Sequence, residues 1–599
     1  MSMTTRSPKA NRAGPGSQRR AQAAHKHLAN RDTIASPDDW EAWLKYLSVR
    51  KDCAPLTALL PHNASDPLCW PLADEWPGSD SQRLVKKLLR LDSRAKSSNG
   101  ELARQLERWL DTVLNRNSEP TLGIECLAWC HALPLLAQTL PSAPWHQLLD
   151  QLIQIAEQAS GIDLLKDPLS RQLLAGELPL SLAYVLPEID ACHQLAESAG
   201  QVLSRDIVEL LDGEGLLQAR YLHLMRPLLA CWTRSACIER ARTPRVLDGD
   251  ARTQLEWMVR QTLRLTRHDG SQVFSTQAAG AWCAGLMKGA LDVAGDGDDQ
   301  LIAAHVLPGH PLKAKEAAPQ SDPTVSSEWA ETAVLRRDWQ RKTDQLAVTY
   351  ADQVFRCELN CGPESIWTGA CNPVVSVAGR ALDFRGDWIE VCSLTDEYMD
   401  YLELEILLSD GRVLQRQLVL ARQDRFLFMA DALLGQKSEA IEYQWTLPLS
   451  PTVKFQPAEE TREGFLIGKR RLGRVLPLAL PEWRSQRDSG RLEATADGLC
   501  HSLRCTGRRL FAPLFIDLDP QRAKNRLTWR QLTVAEDLQR VDRDVAVGYR
   551  IQVGSRQWLV YRSLGPTGNR SILGQNFSTQ YVIARFAPGG LSQKLVEIE

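Results

Sequence analysis

Two short stretches in the first half of the chain carry side chains suited to moving a proton beside an anion. In Tyr221-Leu-His223, read as part of a helix just before Pro227 and Trp232-Thr-Arg234, a phenol and an imidazole lie two residues apart. Either group can take a proton from carbon when a neighbouring cation neutralises the charge that develops. A spacing of two does not place them cleanly on one helix face, so a packed tyrosine beside a satisfied histidine is the simpler account of the pair. Arg267-His268-Asp269-Gly270 reads as a turn between two helices that can face a cleft, and loop residues carry function more often than core ones. Tyr221, His223 and His268 are therefore the candidate catalytic residues. Arg267 can clamp a carboxylate, and Trp282 can line the same site. In the second half, Arg336-Arg337-Asp338-Trp339 offers another guanidinium beside an indole, and Tyr350 ends the strand that follows. Arg337, Trp339 and Tyr350 complete the candidate binding set, although a strand-edge salt bridge with a packed tryptophan explains that segment more simply.

Other familiar chemistries find no support. Asp292, Asp296, Asp298 and Asp299 lack the calcium-loop spacing and its closing glutamate, which leaves a solvated helix connection. The fourteen cysteines are scattered, and the nearest pairs (Cys126/Cys130, Cys357/Cys361, Cys500/Cys505) miss the C-x2-C spacing of zinc or redox sites. They read as buried free thiols of a reducing compartment. Gly-x-Gly-x-x-Gly, P-loop and Gly-x-Ser-x-Gly motifs are absent. No cofactor and no metal is expected. The Gly/Asn-rich stretch 565–577, GPTGNRSILGQNF, is explained by a hairpin or sheet corner.

The elements that must position these residues divide the chain. HQLLDQLIQIAEQA and ELARQLERWLDTVL repeat apolar residues at i, i+3, i+4 and i+7, and DIVELLDGEGLLQARYLHLMRPLLACW continues in the same manner. Proline-marked breaks separate such segments, which predicts stacked helical hairpins without a regular repeat. Residues 306–327 hold four prolines and small polar residues, and mark a boundary. Beyond it the pattern alternates, as in DYLELEILLSDGRVLQRQLVLARQDRFLFMAD, with hairpin signals at Asp410-Gly411 and Gly554-Ser555. Many strands without intervening helices predict antiparallel sheets packed as a many-stranded two-sheet sandwich.

The expected division is a basic, disordered tail over 1–36, a helical domain over 37–305, a linker over 306–327 and an antiparallel β-sandwich over 328–599. A chain of 599 residues exceeds one ordinary core, and 44% hydrophobic with 24% charged residues is ordinary globular composition. The net charge of −2 gives no reason to expect nucleic acid. Eighteen tryptophans, against ten tyrosines, are compatible with carbohydrate stacking and equally with core filling. The first 31 residues contain seven Lys or Arg, and the segment after Arg19-Arg20 is too polar for an export signal. With no apolar run long enough to cross a membrane, the default location is cytoplasmic, with periplasmic or secreted placement left open.

The junction SEWAETAVLRRDWQRKTDQLAVTY, residues 327–350, resembles the segment that opens the sandwich in heparinase II/III-like proteins. There a short strand with an Arg and a Trp leads into an apolar strand. DYLELEILLSDGRVLQRQLVLARQDRFLFMADAL is similar to the strand-turn-strand that follows in that family. Resemblance of architecture runs from about residue 40, and that of motifs over roughly 327–445. It implies an (α/α) toroid-like helical domain followed by a large antiparallel β-sandwich, with a cleft between them for an acidic glycan. The implied chemistry is β-elimination at a uronic acid, in which a Tyr or His base removes the C5 proton while Asn, His, Arg or metal neutralises the carboxylate. The family's His-x-His-x-Asp-like stretch is missing. Residues 357–382 read CELNCGPESIWTGACNPVVSVAGRAL, and no histidine occurs between His310 and His501. The expectation is a divergent member that binds or cleaves an acidic, uronic-acid-containing polysaccharide. The alternative is a non-enzymatic scaffold with a helical-hairpin domain and a β-sandwich binding module.

Overall fold

The computed structural model describes residues 37–50, 53–60, 66–71, 78–91, 99–113, 115–242, 245, 247–275, 278–310, 317–487, 489–586 and 592–599. The basic tail expected over 1–36 lies outside them. Helices fill the first half in an alternating manner. Pro120–Leu136, Leu178–Val185 and Met225–Arg240 are buried nearly all round, whereas Ser142–Gln158, Asp190–Leu210 and Gly249–Arg264 bury one stripe. In Ser142–Gln158 that stripe is Trp145, Leu148, Leu149, Leu152, Ile153 and Ala156, the helical spacing read from the sequence. An inner set of apolar helices backed by amphipathic ones is the layering of a helical toroid.

The inner helices are registered by buried polar groups. Arg234 forks onto Glu177 at 2.6 and 2.8 Å, and Trp232 donates its indole N–H to Gln172 at 2.8 Å. Gln172–Glu177 is a π-helical stretch, the widened turn that lets both polar side chains face Met225–Arg240.

The segment expected to run as helix through Tyr221 is interrupted. Asp190–Leu210 ends, Leu211 bridges Leu217, and a 3-10 turn over Ala219–Leu224 precedes the next helix. Two features enforce the break. The Asp212 carboxylate accepts the backbone N–H groups of Glu214 and Leu216, and Gly215 sits at φ +80°. A Cβ on Gly215 would come within 2.3 Å of the Met258 backbone nitrogen, so only glycine fits there.

The last helix ends at Val306 and strands begin at Val325. The first sheet is a meander of β1 (Val325–Ser327), β2 (Thr332–Arg336), β3 (Asp344–Thr349), β4 (Arg356–Cys361) and β5 (Glu364–Ala370). One face of β1–β3, with Val325, Val334 and Ala347, joins the helical core, together with the nearby Trp339. The other face, with Leu335, Leu346 and Val348, packs on an eight-stranded antiparallel sheet. Both hairpins read from the sequence are present, at Gly411 (φ +86°) and Gly554 (φ +61°), and 570–577 forms a further hairpin.

The stack is deeper than two sheets. Met399, Tyr401, Phe426 and Phe428 on the far face of the eight-stranded sheet pack against Tyr549, Trp558 and Tyr581 of a five-stranded sheet. That sheet in turn covers Ile572 and Phe577 of a small four-stranded one. Central strands such as Phe426–Leu434 are therefore buried on both faces. All fourteen cysteines are free and nine of them are buried. Among the described residues, no helix is long and apolar enough to cross a membrane.

Candidate functional site

Where the halves meet, the loop from Leu265 to Cys283 leaves the helix Gly249–Arg264 and folds across the first sheet. Its tip is a tight turn: the Arg267 N–H donates to the Ser271 carbonyl at 2.8 Å, and Asp269 accepts the Ser271 N–H and hydroxyl at 2.9 and 2.6 Å. Gly270 is at φ +86° beneath the Trp282 ring, which would lie 2.6 Å from a Cβ there. The dipeptide Asp269-Gly270 thus forms the predicted turn, and it also seats an aromatic ring.

The sheet answers with a polar face. Arg356, Glu358 and Asn360 alternate along β4, so all three project toward the helical half. Glu358 is fully buried. Its carboxylate accepts the Arg267 guanidinium at 2.6 and 2.7 Å, the Phe274 N–H at 2.8 Å, the Asn360 amide at 2.8 Å and the Thr368 hydroxyl at 3.1 Å. Phe274 adopts φ +59°, a costly conformation for a bulky residue, of order 1–2 kcal/mol; the bond from its N–H to Glu358 holds it there. Burial pulls the Arg267 pKa down and the Glu358 carboxylate more than offsets it, so the net shift is upward. Further along the seam, Arg336 and Gln345 donate to the carbonyl of Arg264, at 3.4 and 2.8 Å.

On one side of this contact opens a cleft of about 630 Å³, lined by His268, Asp269 and Trp282 from the loop and by Asn360, Thr368 and Ser450 from the sheets. His268 is half-buried. Its pKa is lowered, first by burial and then by the positive charges of Arg341 and Lys342, with Asp269 opposing. Asp269 is held below the usual carboxylate range: burial acts upward, but the hydrogen bonds from Ser271 prevail. On the other side a smaller cavity of about 380 Å³ is lined by Arg220, His223, Thr349, Asp352 and Arg356.

Of the residues singled out from the sequence, Arg267, His268 and Trp282 therefore meet in one cleft. His223 lies in the neighbouring cavity. Tyr221 is buried, with its hydroxyl donating to the Leu165 carbonyl. Arg337 pairs with Asp338 at 3.2 Å and Asp344 at 3.6 Å, outside both cavities. Trp339 is buried under Arg264 and Arg336 and donates its indole N–H to the Ser321 carbonyl at 2.7 Å. Tyr350 is buried and donates to Glu390 at 3.1 Å; burial first, then the Glu390 charge, push its pKa up. Glu358, Asn360, Arg341 and Lys342 were not singled out. The signal for the first two was present as Arg-x-Glu-x-Asn alternating within an otherwise apolar strand.

A further cavity of about 970 Å³ lies within the β half, and its Arg412 is committed to ion pairs with Asp410 and Glu439. Among the described residues, no group of three or more His, Cys, Asp or Glu is placed to hold a metal ion.

No protein-family model and no curated protein matches the chain. Solved structures do. A heparinase III superposes with a TM-score of 0.61 at 11% sequence identity, over 92% of this chain and 97% of its own. Another heparinase III structure gives 0.60 at 10% identity, over 90% and 98%. The heparan sulfate lyase HepC of Pedobacter heparinus gives 0.54 at 11% identity, over 91% and 97%. At these identities the likeness is one of fold: the chain has the helical half and the stacked antiparallel sheets of these structures.

Proposed function

We propose that the cleft between the halves binds an acidic, uronic-acid-containing polysaccharide and that His268 is the base of a β-elimination there. The observation that carries this reading is a half-buried imidazole in a cleft also lined by Trp282, biased toward its neutral form first by burial, with Asp269 opposing and Arg341 and Lys342 adding to the effect. A neutral imidazole accepts a proton; nearby cations favour a carboxylate and the charge that grows on it as C5 loses its proton. Trp282 offers a face for the sugar ring. In the step itself the C5–H and C4–O4 bonds break and a C4–C5 double bond forms. The imidazolium of His268 returns the proton to O4, so no water is consumed. Arg267 acts as a positioning residue, its guanidinium being spent on Glu358, Ser271 and Ser275. The neighbouring folds are named for heparin and heparan sulfate cleavage, and the basic fringe suits the same ligand class.

The test is incubation with a panel of uronic-acid polysaccharides, followed by ultraviolet absorbance of the unsaturated product. Growth with the natural chain and its loss in His268→Gln, with folding intact, is the expected result. Growth that survives His268→Gln overturns the assignment of the base. Glycan binding without growth reduces the reading to a binding protein. A second reading, a partner-binding scaffold, draws on the edge strand Phe384–Thr395, where Ile389, Val391 and Leu394 are exposed.

A further inference from the structure

A second cavity in the β half is not used by the reading above. It measures about 750 Å³ and lies between residues 479–487 and the edge strand Leu527–Leu532. Trp483 projects into it and is 45% exposed, one of the few large aromatic rings left open to solvent. Around that indole stand Arg487, Arg530 and Arg543, with the amide side chains of Gln486 and Gln531. The three arginines are exposed, and none has a hydrogen bond or carboxylate partner among the described residues. Arg530 faces Arg550 across the strand pair, which adds to the positive field. Among the described residues the lining holds one carboxylate, Glu482, which accepts the Thr528 hydroxyl at 2.5 Å.

The loop that carries Trp483 is built to hold its shape. Arg462 is buried and donates to the carbonyls of Arg484 and Gln486 at 3.2 and 2.7 Å, while its N–H donates to the Glu482 carbonyl at 2.9 Å. Arg484 returns a backbone bond to Glu460. Trp529 forms the floor and gives its indole N–H to the Leu480 carbonyl at 3.0 Å. An exposed indole on a pinned loop, ringed by three guanidinium groups without a partner among the described residues, matches a pyranose that bears carboxylate or sulfate. The apolar face of the ring covers the indole, and the forked donors take the acid group.

We infer that this cavity is a second binding site for an acidic glycan, remote from the cleft. The sheet that carries it is separated from the first sheet by the eight-stranded one, so at about 10 Å per layer the two sites lie roughly 20 Å or more apart. The site rests on the reading that the ligand is an acidic glycan. It adds that one long chain is held at two places, so that the remote contact raises the effective concentration of glycan at the cleft.

The experiment is electrophoresis of the full chain through gels containing heparan sulfate, chondroitin sulfate or polygalacturonate. Dextran gels and competition by single-stranded DNA serve as controls, and ultraviolet product formation is followed in parallel. Trp483→Ala and the double substitution Arg530→Ala/Arg543→Ala should each weaken retardation by tenfold or more. The melting midpoint of each variant, unchanged from the natural chain, guards against a loss of folding, and His268→Gln should remain retarded. Retardation unchanged in all these arginine and tryptophan variants, while the natural chain still forms product, overturns the second site and leaves the cleft reading standing. Displacement by DNA as effective as by glycan also overturns it, in favour of a general polyanion surface. No retardation and no product on any acidic glycan removes both readings together.

Discussion

The pair Arg267–Glu358 gives the sharpest test of how the halves are joined. Glu358 is fully buried and the Arg267 side chain is 16% exposed. Replacing Glu358 with Ala strands a guanidinium in the seam and leaves the Phe274 N–H without its acceptor. Replacing Arg267 with Met strands a carboxylate instead. Breaking a buried ion pair from either side costs about 3–5 kcal/mol, because the uncompensated charge remains in a poorly solvated place. The double change Arg267→Met/Glu358→Leu removes both charges, and only the loose ends of Phe274, Asn360 and Thr368 remain. Asn360 and Thr368 also line the cleft, where water reaches them, so a loss of about 1–3 kcal/mol is expected. The two single losses sum to about 6–10 kcal/mol, which leaves a coupling of at least about 3 kcal/mol. Because a chain of this size need not unfold in one step, the assay is hydrogen exchange in peptides spanning 265–283. Each single variant should speed local opening by a hundredfold or more, and the double variant by far less. Opening rates in the double variant equal to the product of the singles would refute the argument, since the two side chains would then be acting independently.

Other expectations follow from the same geometry. Burial lowers His131 from the ordinary 6.5 to about 4 and His501 to about 3. A lowered histidine pKa means the folded state binds fewer protons, so stability is complete above about pH 6.5 and is lost as pH falls toward the folded values. At pH 5 each should cost about 2 kcal/mol, visible as a lower urea midpoint than at pH 8, and His501→Gln should flatten that dependence. Product formation through His268 should require its neutral form, with the acid limb of the pH profile falling below 6.5; a limb above 7 would count against His268. Gly270→Ala should lose more than about 1 kcal/mol of thermal stability from left-handed strain alone, and should weaken glycan binding because Trp282 must move. Arg416 and Asp431 are both fully buried and bonded at 2.8 and 2.7 Å, with Phe355 and Trp445 stacked on the guanidinium. Arg416→Met should destabilise the β half by about 3–5 kcal/mol in urea titration.

Local signals carried much of this fold. The stripe in Ser142–Gln158 and the Asp-Gly and Gly-Ser hairpins depend on neighbours within a few residues, so periodicity and turn chemistry suffice to find them. The break at 212–217 was harder. The apolar residues of DIVELLDGEGLL keep helical spacing through it, and the reason for the break, the Trp257–Met258 backbone pressed against Gly215, is a long-range contact. The depth of the stack was hidden for a related reason. Strands such as Met399–Leu408 alternate in sequence, yet Tyr401 on one face and Leu402 on the other both find cover, and cover is a long-range property. The candidate cleft was half legible. His268 and Trp282 stood out by residue type, whereas Glu358 lies 91 residues from its partner Arg267, and nothing local announces such a pairing.

The sharing of β1–β3 between two cores decides where this chain can be cut and recombined. A breakpoint in the proline-rich stretch near 306–324 looks natural from the sequence, but it would strip the helical half of Val325, Val334, Trp339 and Ala347, which complete its apolar interior. A chimera that grafts a foreign toroid onto these sheets should therefore cross over after Tyr350, carrying the first three strands with the helices they seal. Gene fragments exchanged at the earlier point would produce two partners with open cores. The unit that recombination can move is thus larger by about three strands than the unit that composition marks out.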